Sequence, residues 1–160
     1  MNKTIAVSTE DMQVLGKELS KQLLSGDVLL LSGAMGSGKS ELCRGIARGL
    51  GIAGPVTSPT FTILNLYDEG IIPFHHFDLY RINSWEELLE SGLDEFMGGD
   101  SITAIEWHER APNLMSKDCL EISISFHEDG SCRVIEFLPR GTFRALDYEI
   151  LGHQHRRGNR

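Results

Sequence analysis

Residues 33–40 read Gly33-Ala34-Met35-Gly36-Ser37-Gly38-Lys39-Ser40 and satisfy the pattern G-x-x-x-x-G-K-[ST]. With glycine near ~7% of residues, the four fixed positions co-occur by chance in well under ~1% of chains this long. Their setting narrows the fold further. Upstream, DVLLLSG (Asp27 to Gly33) is an unbroken β-type apolar run, the pattern of a strand buried on both faces of a parallel sheet. Downstream, Ser40 to Leu50 is a helix-length stretch stopped by Gly49 and Gly51. Strand, glycine loop and helix in that order are what a phosphate-binding loop requires. They imply an α/β domain with three layers and a mixed, mainly parallel sheet.

The chemistry follows from the backbone. Glycines let successive amides curl around phosphate oxygens, and the helix that starts here adds the positive end of its dipole. Gly33, Gly36, Ser37, Gly38, Lys39, Ser40 and Glu41 are therefore candidate nucleotide contacts. Lys39 would reach the β- and γ-phosphates, and the Ser40 hydroxyl would be one ligand of Mg²⁺, a hard cation that selects oxygen donors. The implied ligands are ATP or ADP with Mg²⁺.

Such a site needs another carboxylate near the metal and a group that positions the attacking water. Two acids end apolar strand-like runs, Asp78 in FHHFDLYR and Glu106 in ITAIEW. An acid there faces the crevice at the carboxyl edge of an α/β sheet, whereas most other acids stand among polar residues that solvent covers. Glu106 follows the more continuous apolar run and precedes Trp107, a residue able to shield the site from bulk water. We assign Glu106 to the metal shell and the attacking water, and Asp78 to support of the metal.

The remaining chain is read around this centre. Lys3 to Val7 suits a first strand, and Ser8 or Thr9 can cap a helix over roughly 10–25, where Met12, Leu15, Leu19, Leu23 and Leu24 recur near helical spacing. FTILNLY (61–67) and PFHHFDLY (73–80) flank a turn-prone DEG and suggest an antiparallel hairpin; CLEISISF (119–126) and CRVIEFL (132–138) suggest another. Between them, Ser84 caps a short helix and SITAIEW forms a further strand, with a last helix expected near 142–150. Residues 1–152 read as one domain and 153–160 as a flexible basic tail.

Charge limits the partners. The formal net charge is −8, and −11 once the three arginines of 153–160 are set aside, which opposes nucleic-acid binding except at a local patch. Cys43, Cys119 and Cys132 are odd in number and match no metal spacing, and nothing resembles a secretory or membrane-spanning segment. A cytoplasmic protein with no membrane contact is the expectation. A GTPase would carry N-K-x-D and D-x-x-G; neither occurs, which favours ATP. Small-molecule kinases carry an arginine-rich lid, but Arg81, Arg110, Arg133, Arg140 and Arg144 are dispersed.

Four blocks, GAMGSGKSEL (33–42), TSPTFTILNLY (57–67), HHFDLYR (75–81) and IEWHER (105–110), stand in the order and spacing of the TsaE (YjeE) family of bacterial P-loop ATPases, which this chain resembles from its first helix to about Arg133. The resemblance implies an ATPase that acts with TsaB and TsaD in the threonylcarbamoyladenosine modification of tRNA, meeting tRNA only indirectly through that complex. It matches Lys39 and Ser40 to the family's phosphate lysine and magnesium hydroxyl, Asp78 to its HFDLYR aspartate near the metal, and Glu106 to its IEW glutamate, associated with magnesium and hydrolysis. Ser58 and Thr60 fall in a segment like a switch loop near the γ-phosphate, and Trp107 would lie beside the site. The family's usual GDLGAGKT is GAMGSGKS here, His108 replaces a usual proline, and the family's hydroxyl before the first helix aligns near Ser8 to Met12 without a unique match, which leaves the adenine contact unassigned.

Three readings stay open on the sequence: an ATP-hydrolysing accessory protein of tRNA modification, a small-molecule kinase, and a nucleotide-gated module without significant hydrolysis. His75 and His76 point to opposite faces of a strand and cannot grip one metal together, so packing is the expectation for both. Cys43, one turn beyond Lys39, is expected in the core.

Overall fold

The computed structural model describes residues 2–107, 109 and 118–152. His108, Arg110 and the expected tail at 153–160 lie outside the described residues. Among the described residues seven strands form one sheet in the order β1-β7-β6-β2-β5-β4-β3, where β1 is Lys3–Ala6, β2 Val28–Ser32, β3 Leu64–Tyr67, β4 Phe74–Asp78, β5 Ile102–Glu106, β6 Cys119–Phe126 and β7 Arg133–Arg140. The central neighbours β6, β2, β5 and β4 pair in parallel, while β3–β4, β6–β7 and β1–β7 pair antiparallel. Only β3 and β7 therefore oppose the common direction, so the sheet is mixed and mainly parallel, with the two expected hairpins at its sides.

Burial on both faces explains the apolar runs. Leu29 and Leu31 of β2 join a cluster with Met12, Leu15 and Leu19 of α1 (Thr9–Ser20), Leu42 and Ile46 of α2 (Lys39–Gly49), and Leu151 of α4 (Tyr148–Gly152). Leu30 points the other way and packs with Phe77, Ile105 and Leu88 of α3 (Trp85–Ser91). Each fully buried leucine is worth about 1.5–3 kcal/mol relative to an exposed one, so β2 anchors both layers.

The helix starts follow their caps. Ser8 Oγ accepts from Asp11 N at 3.1 Å while the Asp11 carboxylate accepts from Ser8 N at 3.3 Å, a reciprocal capping box. Ser84 caps α3 through Glu87 N at 3.2 Å. The first helix stops at Ser20 rather than near 25. Asp27 Oδ2 accepts Leu24 N at 2.7 Å, which closes a turn that turns Leu24 outward and leaves Leu23 in the core. The last helix also starts later than expected, because Arg144 leaves helical register to form a two-pronged pair with Asp27 at 2.9 and 2.8 Å. Asp147 then accepts Ile150 N at 3.2 Å and starts α4.

The helices α1 and α2 cross on bare backbone. A Cβ at Gly45 would sit 2.1 Å from Gln13 O, and one at Gly16 would sit 2.3 Å from Leu42 O. That closeness sets α1 against the start of α2, where the glycine loop ends.

Candidate functional site

The loop after β2 turns on two left-handed glycines, Gly36 at φ 79° and Gly38 at φ 111°, a region that side chains with a Cβ rarely enter. Gly38 is the N-cap of α2 and supplies no side-chain cap, so the first-turn amides of the helix open onto a cleft of about 350 Å³. Lys39 is the first helical residue. Its Nζ donates to Gly33 O at 2.8 Å and lies 5.0 Å over the Trp107 ring, which fixes the ammonium above the loop. Ser37 is buried beneath, its Oγ without a hydrogen-bond partner among the described residues and close to Gly33.

Opposite the lysine, the parallel register of β4 and β5 sets Asp78 directly beside Glu106. Both carboxylates are 4% exposed and line the same cleft as Lys39 and Ser40. Asp78 Oδ2 accepts the Thr60 hydroxyl at 3.2 Å and Oδ1 accepts Tyr80 N at 2.9 Å. Ser58 and Thr60 exchange a hydrogen bond at 2.8 Å, so the SPTF loop is joined to the strand-end acid through its hydroxyls. Phe61 stands 78% exposed with the Arg81 guanidinium 4.5 Å from its ring centre.

Backbone strain gathers at both acids. Ile63, at φ 69°, passes its carbonyl to Asp78 N at 2.8 Å, and Trp107, at φ 59°, follows Glu106 directly. A β-branched or bulky side chain in this region costs on the order of 1–3 kcal/mol and persists only where its surroundings hold it. Trp107 is held between Lys39 and Tyr80, whose ring centre is 4.9 Å away.

Of the residues singled out in the sequence, Gly36, Gly38, Lys39, Ser40, Glu41, Ser58, Thr60, Asp78, Glu106 and Trp107 line the cleft together. Gly33 and Ser37 lie behind it, in the turn that carries Lys39. The Glu41 carboxylate is engaged by Arg44 and by Gln13 Nε2 at 2.6 Å, which joins α2 to α1.

Sequence reasoning missed Met35, Met12, Tyr80 and Arg133 as cleft residues, and it left the hydroxyl near Ser8 to Met12 unassigned; Thr9, from that stretch, lines the cleft. Met12 carried only a core signal, and the approach of its Cε to within 3.3 Å of a Cβ built on Gly38 is a tertiary fact. Arg133 opens β7, two strands from β2, and no local pattern marks it. Its aliphatic stem nears Gly38 and its guanidinium lies 5.3 Å over the Phe126 ring, with Nε buried and lacking a hydrogen-bond partner among the described residues. His75 and His76 do occupy opposite faces. His75 bridges Phe96 O at 2.8 Å and Asp68 at 3.1 Å near the edge, whereas His76 is buried with Nε2 2.9 Å from Glu106 Oε2 and 3.6 Å from Cys43 Sγ. Burial opposes charge on that ring, but its interactions with Cys43 and then with Glu106 outweigh burial and push His76 up to about 10. Cys43 is in the core, as its spacing implied.

The oxygen set formed by the Ser40 hydroxyl and the Asp78 and Glu106 carboxylates fits the donor chemistry of Mg²⁺. The amide-rich loop with Lys39 fits a polyphosphate.

Comparison with known proteins agrees with this architecture. The family model described as "Threonylcarbamoyl adenosine biosynthesis protein TsaE" matches residues 6–135. A tRNA threonylcarbamoyladenosine biosynthesis protein TsaE of Synechocystis is 47% identical over 105 residues, covering 64% of this chain and 67% of that one. The protein of the same name from Bacillus subtilis is 37% identical over 150 residues, 93% of each chain. The crystal structure of Bacillus subtilis YdiB superposes with a TM-score of 0.74 at 32% identity, over 98% of this chain and 95% of that one. Since the family match runs from the end of β1 into β7 and takes in both strand-end acids and the glycine loop, the chain belongs to the TsaE family.

Proposed function

We propose that this protein is a Mg²⁺-dependent ATPase that serves threonylcarbamoyladenosine modification of tRNA in complex with TsaB and TsaD. The observation that carries the reading is the convergence of Lys39 and Ser40, from the start of α2, with Asp78 and Glu106, from adjacent strand ends, on one cleft. Family membership supports the pathway.

In this reading residues 1–152 form one ATPase domain. The loop amides and Lys39 bind the β- and γ-phosphates, and Met12, Thr9 and Arg133 form the wall beyond Gly38, where the nucleoside would extend. Ser40, Glu106 and Asp78 would hold Mg²⁺, which supplies charge neutralisation between the phosphates. Glu106 orients the attacking water, and Trp107 shields that oxygen from bulk solvent. Thr60 and Ser58, linked to Asp78, sense the γ-phosphate, so turnover would alter the loop that carries exposed Phe61. The negative net charge agrees with contact to tRNA only through the complex. Among the described residues no helix is long and apolar enough to cross a membrane; a cytoplasmic site of action is part of the proposal.

ATP hydrolysis measured for the chain alone and with the TsaB–TsaD pair from the same source tests the assignment. A partner-stimulated rate supports it, and an unchanged rate with no complex formed would overturn it.

A further inference from the structure

His76 is a deeply buried polar side chain whose place in the fold the proposed reaction does not require. It lies on β4 two residues before Asp78 and therefore on the same face, and its register partner on β5 is Ala104. That small side chain leaves room for the ring to lean diagonally toward Glu106, the next residue of β5 on this face. The ring is 1% exposed, and Phe74 stacks against it with ring centres 6.2 Å apart and planes at 26°. Cys43, on the helix that begins with Lys39, meets Nε2 from above at 3.6 Å.

The hydrogen-bond inventory fixes the direction of this contact. An ionised carboxylate only accepts, so at 2.9 Å the proton between the two groups belongs to Nε2, and Cys43 Sγ can take no more than a weak share of it. Among the described residues Nδ1, which is buried, has no hydrogen-bond partner, so Nε2 makes the polar attachment of the ring to them. That attachment captures Oε2 and leaves Oε1 for the cleft that Glu106 lines.

We propose that His76 is a positioning residue for Glu106: by donating Nε2–H to Oε2 from a ring locked by Phe74 and Cys43, it fixes the carboxylate rotamer and presents Oε1 to the reaction. The proposal rests on the ATPase reading for its consequence, and on the geometry of the apo chain for its premise. A buried carboxylate needs donors merely to be tolerated, so a purely structural role is the competing account. The two differ in what happens when Glu106 is already disabled, and in whether another donor restores the rate.

The first arm needs no nucleotide. Ring ¹⁵N–¹H spectra of the whole protein should show a proton on His76 Nε2 in slow exchange with water, and Glu106→Ala should speed that exchange at least ~10-fold. A bare, unprotonated Nε2 would overturn the proposal. The second arm compares hydrolysis and ATP affinity, in the presence of TsaB and TsaD. His76→Phe keeps the ring's bulk but not its donor, and should lower kcat about 10–100-fold with ATP affinity within ~3-fold, the size seen when a partner that orients a ligand is removed. His76→Gln, which can offer an amide near the Nε2 position, should recover most of the loss. In a Glu106→Gln background His76→Phe should cost no further rate. Equal losses for Phe and Gln, or a full additional loss in the Glu106→Gln background, would overturn the positioning role. If His76→Phe does not fold, the Gln variant and the ring spectra decide. A wild-type chain that never hydrolyses ATP would refute the ATPase reading instead, with the spectral arm still testing the contact.

Discussion

Replacing Gly45 with alanine sets two physical effects against each other. Intrinsic helix propensity favours alanine over glycine by about 1 kcal/mol inside a helix, so propensity alone predicts a more stable protein. The structure predicts the reverse. The new Cβ would lie 2.1 Å from Gln13 O and 2.8 Å from Gln13 C and Cα, and ordinary contact begins at 3.4 Å, so α1 and α2 would have to part by roughly 1.3 Å there. The obstacle is main chain, which cannot rotate away as a side chain tip can. Overpacking of this kind costs about 1–3 kcal/mol, and the lost helix–helix contact adds to it, so a net destabilisation of about 1–2 kcal/mol is expected after the propensity gain. For a chain of 160 residues that is a fall in Tm of about 2–8 °C. Thermal unfolding followed by circular dichroism measures it directly. Because α1 holds Met12 beside Gly38, ATP affinity should fall as well. A Tm equal to or above wild type would refute the close-crossing argument.

Glu106→Gln should leave ATP affinity within a few-fold and reduce hydrolysis by on the order of 10²-fold, as for loss of a positioned acid–base group; a wild-type rate in the full assembly would pass the water-orienting role to Asp78. Asp78→Asn should raise the Mg²⁺ concentration needed for half-maximal activity, and an unchanged requirement would confine Asp78 to holding Thr60. In the turn between β6 and β7, hydrogen bonds from the Ser131 hydroxyl, then the Ser131 amide and His127, lower the Asp129 carboxyl to about 2. Any stability this depressed carboxyl contributes is therefore present above its ordinary value of 3.8 and is lost as pH falls through about 2; a carboxyl ¹³C titration with a midpoint near 3.8 would contradict those hydrogen bonds.

What could be read in the sequence was what is encoded locally. The apolar run of β2, the glycine loop and the amphipathic spacing of α1 and α2 each reflect one element's own burial, and the two hairpins announced themselves through alternation and turns. Asp78 and Glu106 were legible because a strand-end acid has a fixed place in a parallel sheet, and the register then set them side by side. Helix ends were harder: the stop at Ser20 and the late start at Tyr148 both depend on Asp27, whose carboxylate closes one turn and pairs with Arg144 from the far end of the chain. Arg133 and His76 escaped for a related reason. Arg133 reaches the cleft only through strand order, and His76 meets Glu106 by a diagonal contact across two strands 30 residues apart.

On the proposed function, the loop from Gly33 to Ser40 would bind the phosphates of ATP through Lys39. Calorimetric titration of MgATP into the wild type and into Lys39→Ala tests it most directly. In that role the lysine would contribute charge-assisted hydrogen bonds worth about 1.5–3 kcal/mol each, so the variant should bind at least ~10-fold more weakly while its circular dichroism spectrum is unchanged. Equal affinities in the two proteins would contradict the account.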